Sequence, residues 1–235
     1  MTCMRSSSVA RKPASRRSVE QALVKLYDYF RSSAAYRVRI ALNLKGLPYD
    51  HLSVHLAKGE QRAETYVAIN PQALVPALVV DGATLTQSLA IIEYLNECHP
   101  QPPLLPAAPA ERARVRAIAL AIACDIHPLN NLRVLKYLTG VLKVGDDAKN
   151  AWYRHWIDVG LAALERQLGS DPATGSYCHG EAPTLADICL VPQLANGRRM
   201  AVPLEPYPTL LRIDDNCRRL DAFARAAPER QPDAA

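Results

Sequence analysis

Four short stretches carry residue types whose spacing suits chemistry. Ser32-Ser33 stands between the loosely alternating, aromatic-bearing segment Val24–Phe30 and a stretch of helical period. Hydroxyls at a strand-to-helix junction can donate to an anion such as a thiolate, to which a helix N-terminus adds about 0.3–1 kcal/mol of stabilisation. The same residues also serve as plain helix caps. Gln87-Ser88 opens another helical stretch. Its free N–H groups and hydroxyl suit a carboxylate, and an ordinary N-cap accounts for them equally. Val75-Pro76 precedes a strand, where a proline sits because it cannot donate to a ladder. A cis bond there would turn the Val75 backbone towards a ligand, whereas trans is the common state of such bonds. Cys124-Asp-Ile-His127-Pro-Leu-Asn-Asn131-Leu-Arg133 sets polar residues inside an apolar helical pattern. That is costly unless the cluster lines a cleft or forms a solvated kink.

The elements that must hold these stretches follow from periodicity. Val24–Phe30 reads as a strand, and Val38, Ala41 and Leu42 share one helical face, with Arg37, Arg39 and Asn43 elsewhere. Gly46 and Pro48 end that helix, and Tyr49–Val54 is a second strand. Ala77–Val80 and Thr84–Leu85 flank Asp81-Gly82, a hairpin signal. Gln87–Glu97 is a helix with Ile91, Ile92 and Leu95 facing inward. Prolines between 100 and 109 form a linker, and everything after it reads as helix: Arg112–Leu142 as one long pattern, then Trp152–Leu168, Thr184–Arg199, Pro208–Cys217 and Asp221–Ala226. Thr184-Leu-Ala-Asp187 has the form of a capping box.

Composition excludes several classes. With 49% hydrophobic and 22% charged residues, the 235-residue chain can bury a core, and no apolar run approaches the roughly 18 residues of a membrane helix. No apolar signal segment opens the chain, so a cytoplasmic location is expected. Of the net charge of +5, +4 falls in residues 1–22, which leaves the remainder nearly neutral and argues against nucleic-acid binding. Residues 1–23 are rich in Ser and Arg without hydrophobic period and read as a flexible leader. The six cysteines form no C-x-x-C pair and no zinc spacing, so neither a structural metal nor a disulfide framework is expected.

Order and spacing together say more than any single stretch. Arg31-Ser-Ser-Ala-Ala-Tyr-Arg-Val-Arg-Ile-Ala-Leu42, Asn70-Pro-Gln-Ala-Leu-Val-Pro-Ala-Leu78 and Gln87-Ser-Leu-Ala-Ile-Ile-Glu-Tyr-Leu95 closely resemble the zeta-class glutathione transferases, as do Thr184–Gln193 and the ending Arg230-Gln-Pro-Asp233. The resemblance spans about residues 24–233. It implies an α+β thioredoxin-like domain of order βαβαββα over 24–104, an all-helical substrate-binding domain over 110–233, and a homodimer. It implies a cis Pro76, and glutathione held by Val75, Gln87 and Ser88 with Gln61 near its glycyl end. Ser32 would face the sulfur with Ser33 beside it, and His127 and Asn131 would reach glutathione from the helical domain or the partner chain. The family usually has a cysteine where this chain has Ala34, so Ser32 must act without that thiol.

The implied chemistry is cis–trans isomerisation of a small dicarboxylate. A sulfur adds to a cis double bond conjugated to carbonyls, the resulting single bond rotates, and elimination returns the sulfur, so glutathione is recycled. Binding two acidic ends asks for arginine, whose guanidinium matches carboxylates bidentately. The resemblance implies that Arg31, Arg133 and Arg199 match positions where maleylpyruvate-isomerising relatives place carboxylate-binding arginines, with Arg31 and the helix-end arginine shared, or nearly so, with maleylacetoacetate isomerases. Maleylacetoacetate is the first expected substrate and maleylpyruvate the alternative. A general transferase acting on halogenated acids is a third reading, and a non-catalytic thioredoxin-like interaction module a fourth. Retention of Ser32, Gln87, Ser88 and the three arginines argues against the last.

Overall fold

The computed structural model describes residues 24–234, so the basic leader expected over 1–23 lies outside the described residues. Four strands form one sheet in the order β2-β1-β3-β4: β1 Lys25–Asp28, β2 Asp50–Ser53, β3 Ala77–Val80 and β4 Ala83–Thr86. β1 runs parallel to β2 and antiparallel to β3, with Leu26 opposite His51 on one side and Leu78 on the other. The β3–β4 hairpin turns at Asp81 and Gly82, both at positive φ, as a two-residue primed turn requires. Helix α1 (Ser33–Leu44) links β1 to β2, the short α2 (Glu64–Val67) precedes β3, and α3 (Ser88–Cys98) follows β4. This is the thioredoxin-like order expected from the sequence.

Beyond the proline segment come α4 (Pro109–Leu120), α5 (Leu132–Gly140), α6 (Asp146–Ser170), α7 (Leu185–Arg199), α8 (Pro208–Arg218) and α9 (Asp221–Ala226). The expected single pattern over Arg112–Leu142 is broken. After α4 the chain widens into a π-type turn at Ala121–Ile126, tightens into a 3-10 turn at His127–Asn130 and restarts as α5. Pro128 lacks the N–H a continuing helix needs. Asn131 then caps the new helix, its Oδ1 accepting the Arg133 N–H at 3.1 Å. The capping box is present on α7: Thr184 Oγ1 accepts the Ala186 N–H at 3.3 Å, and Asp187 Oδ2 accepts the Thr184 N–H at 2.7 Å. No helix of the described residues is long and apolar enough to cross a membrane.

The expected one-sided apolar face of α1 is corrected by its surroundings. The helix packs against α3 on the sheet side and against α7 and α9 on the helical side, so Arg37 and Arg39 are buried along with Val38, Ile40, Ala41 and Leu42. Arg39 is fully enclosed. Its NH1 lies 2.7–2.8 Å from both Asp28 carboxylate oxygens, its Nε donates to Ala226 O at 2.9 Å and its NH2 to Phe30 O at 3.1 Å. Burial alone would raise the Asp28 carboxyl, but Arg39 and His51 hold it below the usual carboxylate range.

The chain's end reaches this same cluster. Asp233 Oδ2 accepts from the Phe30 N–H at 3.1 Å and from Ser53 Oγ at 3.0 Å. Gln231 donates to Arg225 O and Ala227 O at 2.8 and 2.9 Å, which holds the terminal turn against α9. The β1–α1 turn, which carries Arg31 and Ser32, is thereby fixed from behind by Asp233, 203 positions from Phe30 in sequence.

Candidate active site

A cavity of about 410 Å³ opens between the sheet and the helices. It is bounded by the β1–α1 turn, the segment before β3, the start of α3, the broken stretch between α4 and α5, and the end of α7. Of the residues singled out from sequence, Arg31, Ser32, Ser33, Val75, Pro76, Gln87, Ser88, His127, Asn131, Arg133 and Arg199 all line it. Gln61 does not: it is buried in a 3-10 turn at Glu60–Arg62, its Oε1 without a partner.

Each wall has a local cause. Ser32 is the N-cap of α1, its Oγ accepting the Ala35 N–H at 3.2 Å. Accepting leaves the hydroxyl hydrogen free, so capping and donation to a bound anion are compatible uses of one side chain. Ser33 is not a cap. It is buried, and its Oγ accepts from Asn196 Nδ2 at 2.5 Å. The Val75–Pro76 bond is cis. Gln87 takes φ of 68° at the β4–α3 junction, a sparsely populated conformation for a residue with a side chain, held where it borders the cavity. Its Nε2 donates to Gln72 Oε1 at 2.9 Å. Among the described residues no side chain caps α3, an eleven-residue helix, and its first N–H groups open beside Ser88.

The opposite wall comes from the break after α4. Asn130 donates to Tyr153 O at 3.0 Å and Trp152 Nε1 to Leu129 O at 2.9 Å, which pins the segment to α6. Arg199 NH2 lies 3.2 Å from Asn196 Oδ1 and 3.3 Å from Tyr153 Oη. Asn196 therefore joins Ser33 to Arg199 across the interface of sheet and helices.

Among the lining residues that sequence reasoning missed are Arg37, Tyr153 and Asn196. Asn196 had a signal, since it precedes Arg199 by one turn on the same helix. Arg37 follows Ser32 by five positions, but its place off the apolar face concealed its burial. With it, four arginines line the cavity (Arg31, Arg37, Arg133 and Arg199), and no Asp or Glu of the described residues does. Such a wall attracts and orients anions, and its forked donors suit carboxylates. Among the described residues no cluster of three or more His, Cys, Asp or Glu side chains could hold a metal ion.

The geometry agrees with relationships to known proteins. Residues 22–97 match the family "Glutathione S-transferase, N-terminal domain" and residues 157–224 match "Glutathione S-transferase, C-terminal domain". A probable maleylacetoacetate isomerase of Vibrio cholerae is 54% identical over 211 residues, covering 89% of this chain and 97% of that protein. Among solved structures, a holo maleylpyruvate isomerase, described as a bacterial zeta-class glutathione transferase, superposes with a TM-score of 0.88 at 51% identity, covering 90% of this chain and 100% of the other. A maleylacetoacetate isomerase of Methylobacterium extorquens AM1, solved with malonate and glutathione bound, gives a TM-score of 0.88 at 43% identity, covering 90% and 99%.

Proposed function

The chain belongs to the zeta class of glutathione transferases, and we propose that it is a glutathione-dependent cis–trans isomerase converting maleylacetoacetate to fumarylacetoacetate. The observation that carries this reading is the cavity's charge: four arginines, the uncapped start of α3, and no carboxylate among the described lining residues.

The residues present fit glutathione. The free N–H groups of α3 beside Ser88 suit a carboxylate, and the backbone of Val75 before cis Pro76 borders the same cavity. In this reading Val75, Gln87, Ser88, His127 and Asn131 hold glutathione, whereas Gln61 does not line the cavity. When bound, glutathione supplies the sulfur nucleophile that adds reversibly across the cis double bond. Ser32 donates its free hydroxyl hydrogen towards the sulfur and favours the thiolate, with the α1 N-terminus adding its positive end. Ser33 and Asn196 keep that turn in register with α7. Arg31, Arg133 and Arg199 bind the two acidic ends of the substrate, and an arginine fork near a carbonyl oxygen also offsets negative charge that develops there.

The remaining parts of the reading are a homodimer in the cytoplasm, with residues 24–104 binding glutathione and 110–233 binding substrate. Maleylpyruvate is a second substrate candidate because a maleylpyruvate isomerase is 51% identical to this chain. The ratio of kcat/KM for the two compounds decides. We expect maleylacetoacetate to be the better substrate, and a ratio favouring maleylpyruvate would move the assignment to the second reading.

A further inference from the structure

Arg37 has an unusual set of partners. It lies on α1, is 1% exposed, and forms no ion pair with a carboxylate of the described residues. Burial pulls its pKa below the ordinary guanidinium range, and after burial the groups that influence it are thiols, Cys189 and Cys124, not carboxylates. Its NH1 donates to Ser88 Oγ at 3.3 Å, its NH2 lies 3.2 Å from His127 Nδ1, and its Nε is buried without a partner. A guanidinium keeps its proton in a folded protein. Enclosing that charge without a counter-ion costs several kcal/mol, and an apolar residue of similar volume would fill the space at lower cost. The placement is therefore poorly explained by packing.

We infer that Arg37 is a positioning residue that turns Ser88 and His127 into hydrogen-bond donors for a carboxylate in the cavity. A guanidinium only donates, so whatever it touches must accept at that atom. Ser88 Oγ accepts from Arg37, and its single hydrogen is turned elsewhere. His127 accepts at Nδ1, which places the ring's proton on Nε2. Burial, and after it the Arg37 charge, push the His127 pKa down to about 3, so the ring stays neutral near pH 7 and keeps this tautomer. Both residues line the cavity beside the uncapped α3. One enclosed cation thus sets two neutral donors and adds its own field at a point where no carboxylate competes.

This inference rests on the glutathione reading of the cavity, with a glutathione carboxylate as the ligand group. Two measurements test it. In full-length protein labelled with ¹⁵N-histidine, long-range ¹H–¹⁵N correlation at pH 7 should show His127 with an unprotonated Nδ1 and a protonated Nε2. The resonance is assigned by its loss in His127→Gln. A protonated Nδ1 in the unaltered protein overturns the inference, and this readout needs no Arg37 variant to fold. Calorimetric titration with glutathione should then show affinity reduced roughly 10- to 100-fold in Arg37→Gln, with partial recovery in Arg37→Lys, the scale of losing hydrogen bonds to charged groups. Equal affinity in a folded Arg37→Gln protein overturns the role of Arg37. Failure of the unaltered protein to bind glutathione instead overturns the reading on which the inference rests.

Discussion

Replacing Arg39 with methionine is expected to lower the free energy of unfolding by about 3–5 kcal/mol, the range for removing one partner of a buried ion pair. Both members of the pair are fully enclosed. Methionine fills most of the volume but leaves the Asp28 carboxylate without its main counter-charge. It also strands Ala226 O and Phe30 O, which Arg39 now serves. The effect depends on pH with a definite sign. In the intact protein the folded-state pKa of Asp28 lies below its unfolded value near 3.9. The unfolded chain therefore binds more protons between the two values. The stabilisation is complete above about pH 5 and is lost as pH falls through the folded pKa. Without Arg39 the dominant remaining influence is burial, which raises the pKa. The variant should then be most destabilised near neutrality and less so in acid, where protonation relieves the buried charge. Urea unfolding of both proteins at pH 7 and pH 5 measures this. The pair Asp28→Asn with Arg39→Met should recover part of the loss, because no uncompensated charge remains. A difference under 1 kcal/mol at pH 7 would show that the pair is not holding β1 to α1.

The second large effect concerns catalysis and separates the roles of two residues. Arg133→Met keeps the stem and removes the fork. Its kcat/KM for the dicarboxylate should fall roughly 30- to 1000-fold, or about 2–4 kcal/mol, while turnover of the neutral chlorodinitrobenzene changes little. Ser32→Ala should lower both reactions, by roughly 10²-fold each, the scale of one well-placed donor to a developing or resident anion. The same change removes the Ala35 acceptor and should cost about 1 kcal/mol of stability, so activity is compared at a temperature where both proteins remain folded. Equal losses on both substrates for Arg133→Met would place Arg133 in glutathione binding or in the fold rather than on the substrate.

Much of this site was legible in sequence because its parts are local. A cap is a matter of three or four residues, so Ser32 and the Thr184–Asp187 box declared themselves. Asp81-Gly82 did so because few other residue pairs accept two positive φ values in succession. Order and spacing of the Ser32, Val75-Pro76 and Gln87-Ser88 stretches then gave the family and the cavity's outline. What sequence concealed is what depends on two bodies meeting. Periodicity shows an apolar stripe on α1, but it cannot show that α7 and α9 cover the opposite face and enclose Arg37 and Arg39. The link from Ser33 through Asn196 to Arg199 crosses 163 residues and has no local signature. Gln61 was placed by family resemblance alone, with no physical signal of its own, and the fold sets it outside the cavity lining. The polar stretch from Cys124 to Arg133 reads equally as a cleft lining or as a solvated kink within one long pattern, and the fold makes it both a break and a cavity wall. The extent of the break, a wide turn followed by a tight one, follows from Pro128 and from Asn131 starting a separate helix.

The central claim is that glutathione is recycled while a cis dicarboxylate becomes trans. The most direct measurement is the number of maleylacetoacetate molecules converted per glutathione when glutathione is supplied at about one-hundredth of the substrate. Isomerisation predicts full conversion to the trans product with the glutathione recovered unchanged, and no conversion in its absence. Conversion that stops when one substrate molecule has reacted per glutathione would mean conjugation and would contradict the account. Complete conversion without glutathione would contradict it as well.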